Sequence, residues 1–423
     1  MVVSATPPSA ATGHQAGRTI TFYVALAVFA QEVTWNFFDS QVPPLLRAHL
    51  TSTAVVGLLM GMDNLLGIFI QPWMGNRSDR TRTRWGRRVP YLVAGMPAAA
   101  LVFLLIPQVA GSLSLLIATM VVYAVICNGF KPVSESLLPD FITPERRSRA
   151  NAVVKIAAGL TTLVAALISI LLVDDHPSAA FAIPSLLMLA AIAVIGFRVR
   201  DSRSRGYQRA LAEDESAGSR IRVRTIILGI LRDEDRSRLL LILGIFVFGC
   251  AWAAVRALMT PYGQEALAMS RGAAGGLALP SGIAYLAAAI PAALLAERFG
   301  RIKVMVGGIA IFIAAMALGT IWQQPTGSYV AFALGAAGAA GFMINAVVAL
   351  WNLAPSARVI GTYTGLYTVG WASGAFLGPA MVGAFVDLTS WRSMLVGIGV
   401  IAALAALVIT RVGVLQRNRA AAP

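Results

Sequence analysis

Long apolar runs alternate with short polar links from about residue 19 to the end of the chain. A helix needs roughly 20 apolar residues to cross the hydrocarbon core of a bilayer, and the runs reach about that length. Backbone groups in lipid must be satisfied within their own segment, so each run is predicted to be a helix. Twelve membrane-spanning helices are predicted, at 19–46, 53–75, 90–108, 112–138, 151–173, 178–197, 238–261, 273–296, 303–322, 327–352, 361–386 and 391–411.

The longest polar link divides these helices into two sets of six. Within it, IRVRTIILGILRD at 221–233 is either a short amphipathic helix on the membrane surface or part of a flexible linker. The predicted fold class is an all-α membrane protein with twelve transmembrane helices in two six-helix bundles. The predicted parts are an N-terminal tail at 1–18, a six-helix bundle at 19–197, a central loop at 198–237, a second six-helix bundle at 238–411 and a C-terminal tail at 412–423.

Composition supports a protein that lies in a membrane. Charged residues make up 13% of the chain and hydrophobic residues 57%, whereas ordinary globular domains carry about 25% charged residues. Cys127 and Cys250 both fall inside apolar runs, so no structural disulfide is expected. The histidines show no metal-ligand spacing, and the motifs HExxH and GxSxG are missing from the sequence. We therefore expect no enzyme, no cofactor and no metal site.

The net charge of +15 lies mainly in the links between spans. Basic residues concentrate in the links after even-numbered spans, above all in RSDRTRTRWGRR at 77–88. Such a cluster suggests nucleic acid in a soluble protein, but here the positive-inside rule explains it. The even-numbered links and both termini are therefore predicted to be cytoplasmic. We expect a monomer in a bacterial inner membrane, with the lipid bilayer and no nucleic acid as partner.

The two halves carry related motifs. WGRR at 85–88 is echoed by FGRI at 299–302, and PERR at 144–147 is echoed by PSAR at 355–358. Both offsets are close to half the chain length. This layout resembles the major facilitator superfamily, whose substrate site lies between the halves near the midplane.

A narrower resemblance rests on the first two spans. QPWMGNRSDRTRTRWGRRVPYL at 71–92 is similar to the Q-P-x-x-G-x-x-S-D-R…G-R-R-x-P signature of the sucrose–proton symporters of plants and their animal relatives, within the glycoside–cation symporter group. AQEVTWNFFDSQVPPLL at 30–46 resembles the first helix of that family, with Glu32, Trp35 and Pro44 in matching places. The resemblance implies transport of a sugar or glycoside together with protons.

Two further segments resemble the same family. LLPDFITPERRSRANA at 137–152 is similar to the end of its helix 4, where Asp140, Arg149 and Asn151 fit, and GTYTGLY at 361–367 is similar to the start of its helix 11. The plant symporters also carry on helix 4 an acid implicated in proton coupling and an arginine that contacts sugar. These two positions align with Ala124 and Glu135 in this sequence, so its coupling site must differ.

Charged residues inside the predicted spans are candidates for function, because each costs about 2.5–3.5 kcal/mol at the centre of a helix on insertion scales. Glu32, Asn36 and Asp39 follow the i, i+4, i+7 spacing of one helix face. Asp39 either belongs to the site or lies near the outer mouth. Asp63 is either on the transport pathway or a structural hydrogen-bond acceptor. The proton-coupling candidates are Glu32, Asp63 and Glu135, and the substrate-binding candidates are Trp35, Asn36, Asp39, Lys131 and Arg256.

Lys131 and Glu135 lie four residues apart on span 4 and are expected to pair, either as a proton-sensitive switch or as a static bridge. Arg256, in the second half, offers a planar fork of donors for sugar hydroxyls or a carboxylate. Tyr363, Tyr367 and Trp371 form a stripe on span 11, which is more typical of packing than of sugar stacking.

The resemblance to major facilitators also implies a cytoplasmic gate. In that family the acid of the loop after helix 2 pairs with an arginine at the end of helix 4 and faces the start of helix 11. Here these residues are Asp79, Arg147 or Arg149, and Gly361. A carboxylate is favoured at a helix N-terminus.

The leading interpretation is a proton-coupled importer of a sugar or glycoside. The alternative is a proton-coupled exporter of drugs or metabolites with the same fold, and a non-transporting receptor stays open.

Overall fold

The structure is a computed structural model that describes residues 10–142, 144–204, 207–208, 236–353 and 360–421. Every regular element in these residues is helical. The first half contains Ala10–Arg47 (α1), Thr53–Arg80 (α2), Val89–Val109 (α3), Leu113–Phe141 (α4), Pro144–Leu172 (α5) and Pro177–Arg198 (α6). The second half contains Ser237–Glu265 (α7), the short Arg271–Gly275 (α8), Ala278–Phe299 (α9), Arg301–Ile321 (α10), Pro325–Asn352 (α11), Ile360–Leu388 (α12) and Met394–Ala421 (α13).

All twelve predicted spans correspond to helices, and the differences lie at their ends. α2 continues to Arg80, because its polar last turns keep their helical hydrogen bonds beyond the apolar run. Ten helical segments of the described residues are long and apolar enough to cross a membrane. α1 carries the polar face discussed below, and the apolar part of α5 covers only Ile156–Leu172. The predicted surface helix at 221–233 lies outside the described residues, so the domain limits around the central loop stay predictions.

The repeat between the halves extends to backbone conformation. Gly86 in WGRR and Gly300 in FGRI both adopt positive φ, at 100° and 91°. A side chain is strained in that region, which glycine enters freely. At Gly86 there is also no room, because an added Cβ would lie 2.5 Å from the carboxylate of Asp201. Both links therefore reverse the chain at a glycine, as expected of duplicated structure.

Each half has its own hydrophobic core. In the first, Phe37 and Phe181 pack edge to face with ring centroids 5.0 Å apart. In the second, Phe248 and Phe342 pack with centroids 4.3 Å apart. Two separate cores mean that the halves are two packed bundles joined along a seam.

The seam runs along three helix pairs, α2 with α12, α5 with α9 and α1 with α7. Small residues allow the approach: a Cβ on Gly61 would lie 2.3 Å from the carbonyl oxygen of Phe376, and one on Gly159 would lie 2.3 Å from Leu286. We call the end of the molecule that carries the link at 81–88 the basic side. We call the end that carries the link at 48–52 the opposite side. These contacts lie in the half nearer the opposite side in α2, α9 and α12, and at the middle of the helix in α5.

Candidate functional site

The polar face of α1 meets α4 near the middle of the first bundle. Lys131 on α4 places its ammonium nitrogen 3.5 Å from Glu32 Oε1, and the two side chains are 28% and 24% exposed. The same ammonium lies 5.5 Å from the ring centroid of Trp35, a cation–π distance. Partial exposure of an ion pair in mid-helix requires contact with water, since lipid cannot solvate it. Glu32, Trp35 and Lys131 therefore form one partly exposed cluster between α1 and α4.

The predicted pairing of Lys131 with Glu135 is wrong. Glu135 is exposed, and within the described residues the ion pair of Lys131 is to Glu32. A spacing of four residues makes an ion pair possible on one helix, but Glu32 on the neighbouring α1 lies closer to the ammonium of Lys131. The local rule failed because it ignores tertiary partners.

The polar face of α1 also reaches the second half. Arg256 on α7 donates from one guanidinium nitrogen to Asp39 Oδ2 at 2.9 Å and to Asn36 Oδ1 at 2.6 Å. Asn36 in turn donates to the hydroxyl of Thr161 at 2.7 Å. The structure thus places Asp39 at the seam between the bundles, joined to the opposing half by a charge-assisted bond. Asn36, Asp39 and Arg256, candidates from both halves, form one network.

Asp63 lies apart from this network in the described residues. Its carboxyl group is buried and accepts from the amide of Asn64 at 2.8 Å. Asn128 on α4 donates to the backbone oxygen of Asp63 at 3.0 Å and accepts from Gln71 at 2.7 Å. These contacts tie α2 to α4, so Asp63 stands at the structural junction of two helices.

The second half contributes aromatic pairs. Trp252, one turn before Arg256 on α7, has its ring centroid 6.3 Å from that of Tyr285 on α9. On α12, Tyr367 and Trp371 lie nearly parallel, with centroids 6.5 Å apart and planes at 14°. All four rings are only partly buried. The first half therefore presents charges and the second presents Arg256 with aromatic rings.

The basic link at 77–88 folds against acids of its own half. Arg87 donates to Asp140 from two nitrogens, at 2.6 and 3.1 Å. Arg88 donates to Asp140 at 3.0 Å and to Asp79 at 2.5 Å. Asp201, just after α6, accepts from the backbone nitrogens of both arginines. Two arginines of the cluster are thus buried and neutralised, and Asp140 and Asp201 are site residues whose partners the sequence did not reveal.

Arg87 shows how this cluster is balanced. Burial disfavours its charged guanidinium, but the hydrogen bonds and attraction of Asp140 outweigh that cost, so the pKa of Arg87 is raised above its ordinary value. The guanidinium of Arg87 therefore stays charged at every pH at which the protein is folded. The burial of this charge depends on the carboxylate of Asp140.

Asp140→Asn is expected to destabilise the first bundle. It removes the carboxylate that serves two buried guanidinium groups, and breaking a buried ion pair costs about 3–5 kcal/mol. Thermal unfolding of the purified variant in detergent measures this, with Asp79→Asn as the control because Asp79 is exposed and serves Arg88 alone at hydrogen-bond distance. Equal melting temperatures for wild type and Asp140→Asn would contradict the structural role.

The predicted gate partners of Asp79 lie outside the described part of the structure. These are the side chains of Arg147 and Arg149, and the surroundings of Gly361. Asp79 itself bonds to Arg88 within its own half. The latch across the seam stays a prediction.

On the opposite side, two acids each cap a helix of the other half. Asp387, at the end of α12, accepts from the backbone nitrogens of Thr53 and Ala54 at 2.7 and 3.0 Å and from the hydroxyl of Ser52 at 2.7 Å. These groups form the N-terminus of α2. A carboxylate there accepts hydrogen bonds from N–H groups that have no partner within the helix, and its negative charge interacts favourably with the helix dipole.

Asp174, at the end of α5, does the same for the second half. It accepts from the hydroxyl of Ser270 at 2.6 Å and from the backbone nitrogen of Gly272 at 2.8 Å, at the start of α8. A sequence signal existed: Val-Asp at 173–174 recurs at 386–387, at the same offset of about half the chain as the other repeats. The two caps are equivalent contacts of the duplicated halves. We call Asp174 and Asp387 with their helix starts the paired caps.

Further bonds cross the seam on the same side. Arg47 lies 3.2 Å from Glu265, and Arg271 donates to the side chain of Gln41 at 2.9 Å. In the described residues, the hydrogen bonds and ion pairs between the halves thus lie at mid-helix or on the opposite side. The molecule is fastened on the opposite side in this conformation.

Two helical bundles related by an internal repeat, with a polar site between them, define the architecture of membrane transporters that work by rocking two halves. The family model described as Major Facilitator Superfamily matches residues 24–284 and 241–421. The chain belongs to the major facilitator superfamily. It is an integral membrane protein whose fold and family are those of transporters of small molecules rather than of enzymes.

Curated relatives match only a short segment. The membrane-associated transporter protein of Homo sapiens is 30% identical over 69 residues, which cover 16% of this chain and 13% of the relative. The protein of the same name from Mus musculus matches to the same extent. The matched segment spans 13% of the length of each of these relatives.

Solved structures match along nearly the whole chain. A bacterial homologue of the human lysosomal transporter Spinster, described as inward-facing and unoccupied, has a TM-score of 0.77 and 13% identity, covering 97% of this chain and 98% of that one. The nucleoside transporter NupG has a TM-score of 0.71 and 12% identity, covering 93% and 98%. A POT family transporter in complex with 5-aminolevulinic acid has a TM-score of 0.72 and 13% identity, covering 92% and 95%. At such identities these similarities establish the fold alone.

Proposed function

We propose that the protein is a secondary active transporter that carries a sugar or glycoside together with protons by alternating access. The observation that carries the proposal is that two ion pairs lie within the long helices. Glu32 pairs with Lys131 near the middle of α1, and Asp39 pairs with Arg256 nearer the opposite side and joins the two halves. Charged groups at this depth are costly and are favoured only where they meet water, ligand or each other. An ion pair across the seam must break when the halves move apart.

The conformation supports the alternating-access part of the proposal. The seam is fastened on the opposite side by the paired caps, while Asp79 on the basic side bonds within its own half. By the positive-inside rule the basic side and both termini are cytoplasmic in a bacterial inner membrane. The conformation is then inward-facing. In the outward-facing state, Asp79 is proposed to close the cytoplasmic side through Arg147 or Arg149 and the start of α12 at Gly361.

The site chemistry favours a sugar over an apolar drug. A sugar ring has hydroxyl groups at its rim and apolar C–H faces, so its site needs both hydrogen-bonding groups and aromatic surfaces. Here Asn36, Asp39 and Arg256 supply donors and acceptors, while Trp252 and Tyr285 supply partly exposed rings near Arg256. The short resemblance to sucrose–proton symporters points to the same substrate class.

Proton coupling is assigned to Glu32. A proton on Glu32 converts the carboxylate to a neutral acid and releases the ammonium of Lys131 from its ion pair, while the contact with the ring of Trp35 remains. Lys131 can turn to a substrate oxygen, so the protonation state of Glu32 and substrate binding become linked. Glu135, exposed and unpaired with Lys131, is the weaker candidate. Asp63, which bridges α2 and α4, is the second candidate.

Uptake of a labelled glycoside panel into proteoliposomes, with and without an imposed inward proton gradient, tests this function. We expect at least one glycoside to accumulate above its external concentration only when the gradient is present. A labelled nucleoside and a labelled dipeptide serve as substrate-class controls. Accumulation of either in place of every sugar would contradict the substrate class, and outward movement driven by the gradient would favour the alternative, a proton-coupled exporter with the same loop motif.

Substitution of the paired caps tests the proposal that the protein works by alternating access and is inward-facing in this conformation. Asp174→Asn with Asp387→Asn keeps the shape of both caps but removes their charge, and each hydrogen bond to a charged group contributes about 1.5–3 kcal/mol. We expect the equilibrium to shift toward opening on the opposite side by about 5- to 150-fold. A cysteine at Ser40, which is buried beside Thr260, reports this through its labelling by an impermeant maleimide.

The reporter is placed in a background with Cys127 and Cys250 replaced by alanine. Asp175→Asn is the matched control, because Asp175 is the exposed neighbour of Asp174 and makes no cap in the described residues. Unchanged labelling in the double variant would mean that the caps hold helix ends but do not set the conformation.

A further inference from the structure

A second pocket lies on the basic side, away from the seam. It has a volume of about 350 Å³ and is formed where the last turns of α2 face the start of α3. Tyr91 of α3 forms one wall and hydrogen-bonds to Thr81 at 2.7 Å. The lining residues are Trp73, Asn76, Arg77, Arg80, Thr81 and Tyr91.

The charge of this pocket is uncompensated. Arg77 and Arg80 lie three residues apart on one face of α2, and both are exposed. Neither has an ion pair to a carboxylate in the described ranges. Asp79, between them in sequence, points to Arg88 instead. Buried Arg87 and Arg88 differ from them, because these two arginines share the carboxylate of Asp140.

An apolar stripe leads along α2 to these arginines. Leu65, Phe69 and Trp73 follow each other at four-residue spacing and are 36%, 69% and 60% exposed. Arg77 is the next residue of that spacing, and its guanidinium lies 5.6 Å from the ring centroid of Trp73. Gly61, which precedes Leu65 at the same four-residue spacing, contacts α12, and Gly67 faces α4. Phe69 and Trp73 are exposed beyond that contact, so this end of the stripe is expected to face lipid next to the pocket.

We propose that this pocket binds the headgroup of an anionic membrane phospholipid. Arg77 and Arg80 contact the phosphate oxygens, Asn76 donates its amide hydrogens, and one acyl chain lies along Leu65, Phe69 and Trp73. Arginine forks match phosphate oxygens in geometry as well as charge. The continuous apolar stripe favours a lipid over soluble phosphate, because soluble phosphate would leave exposed Trp73 and Phe69 without a role. This inference rests on membrane embedding and is independent of the transported substrate.

Thermal unfolding of the purified protein in detergent tests the site by titration with short-chain phosphatidylglycerol. The melting temperature is expected to rise and saturate, while short-chain phosphatidylcholine and inorganic phosphate at equal concentrations have a much smaller effect. Arg77→Gln with Arg80→Gln is expected to weaken the apparent affinity for phosphatidylglycerol by about 30-fold, since each basic residue near an anionic surface contributes a factor of about five.

Arg84→Gln is the matched control. Arg84 belongs to the same link and is exposed, but it stacks on Trp85 and does not line the pocket. It should keep wild-type affinity. The melting temperature without lipid checks that the double variant folds, and Arg80→Gln alone provides the measurement if it does not. If inorganic phosphate stabilises the protein as much as phosphatidylglycerol does, the pocket is a site for soluble phosphate. If the double variant binds phosphatidylglycerol as tightly as wild type, or if the lipid does not stabilise wild type, the arginines act only as topology anchors. Each of these results would overturn the proposal.

Discussion

Glu32→Gln is expected to abolish accumulation of substrate against its gradient while leaving exchange of labelled for unlabelled substrate across the membrane. The substitution keeps size and hydrogen-bonding capacity but cannot take up or release a proton. Exchange needs only that the loaded carrier moves between its two states, whereas accumulation needs the proton to be carried and released. Proteoliposome uptake with an imposed proton gradient measures the first activity, and counterflow measures the second.

Glu135→Gln is the matched control for this prediction. Glu135 lies on the same helix as Lys131, one turn away, but is exposed and not paired with it. Its variant is expected to accumulate substrate normally. Wild-type accumulation by Glu32→Gln, together with loss of accumulation in Asp63→Asn, would place proton coupling at Asp63. Loss of accumulation in Glu135→Gln alone would show that the assignment to the Glu32–Lys131 pair is wrong.

Arg256→Ala is expected to lower the rate of transport at low substrate concentration on the order of 100-fold, which corresponds to about 2.7 kcal/mol. The guanidinium holds Asp39 and Asn36 from across the seam. Its removal leaves a carboxylate in mid-helix without its cation and takes away donors for the substrate. Initial rates of uptake, corrected for the amount of protein in the vesicles, measure the effect.

Two variants separate position from charge. Arg256→Lys keeps the charge but loses the planar fork, so we expect an intermediate rate. Arg298→Ala removes an arginine of the second half that stacks on Phe299 on the basic side, and it should transport normally. A near-normal rate for Arg256→Ala would remove the seam network from the transport mechanism.

Hydropathy alone predicted the helices, because a bilayer demands long apolar segments whose backbone groups are satisfied internally. The polar face of α1 was also predictable, since Glu32, Asn36 and Asp39 obey one helical period. The repeat of WGRR as FGRI anticipated a pair of equivalent links, each with a glycine at positive φ.

Pairings between helices could not be predicted in the same way. Lys131 had Glu135 four residues along its own helix, but the packing of α1 against α4 placed Glu32 closer. Asp201 lies 113 residues from Arg88 and carries no motif that connects them. Such contacts depend on how helices pack, and a single sequence contains that information only indirectly.

The paired caps are an intermediate case. Val-Asp at 173–174 and 386–387 was visible as another repeat, yet a short acidic motif at the end of a span has no meaning until its helix partner is known. In the structure each acid faces the start of a helix in the opposing half, so the duplicated fold produces two equivalent fastenings from one local motif.

Substrate-induced proton movement is the most direct test of the central claim that sugar and proton cross together through the site at Glu32. Addition of the transported glycoside to lightly buffered, de-energised proteoliposomes is followed with a pH indicator in the external medium. The account predicts alkalinisation of the medium by wild type as protons enter with the sugar, and no change with Glu32→Gln although its exchange activity persists. Sugar entry into wild-type vesicles without any change of external pH, or the same alkalinisation with Glu32→Gln, would contradict it.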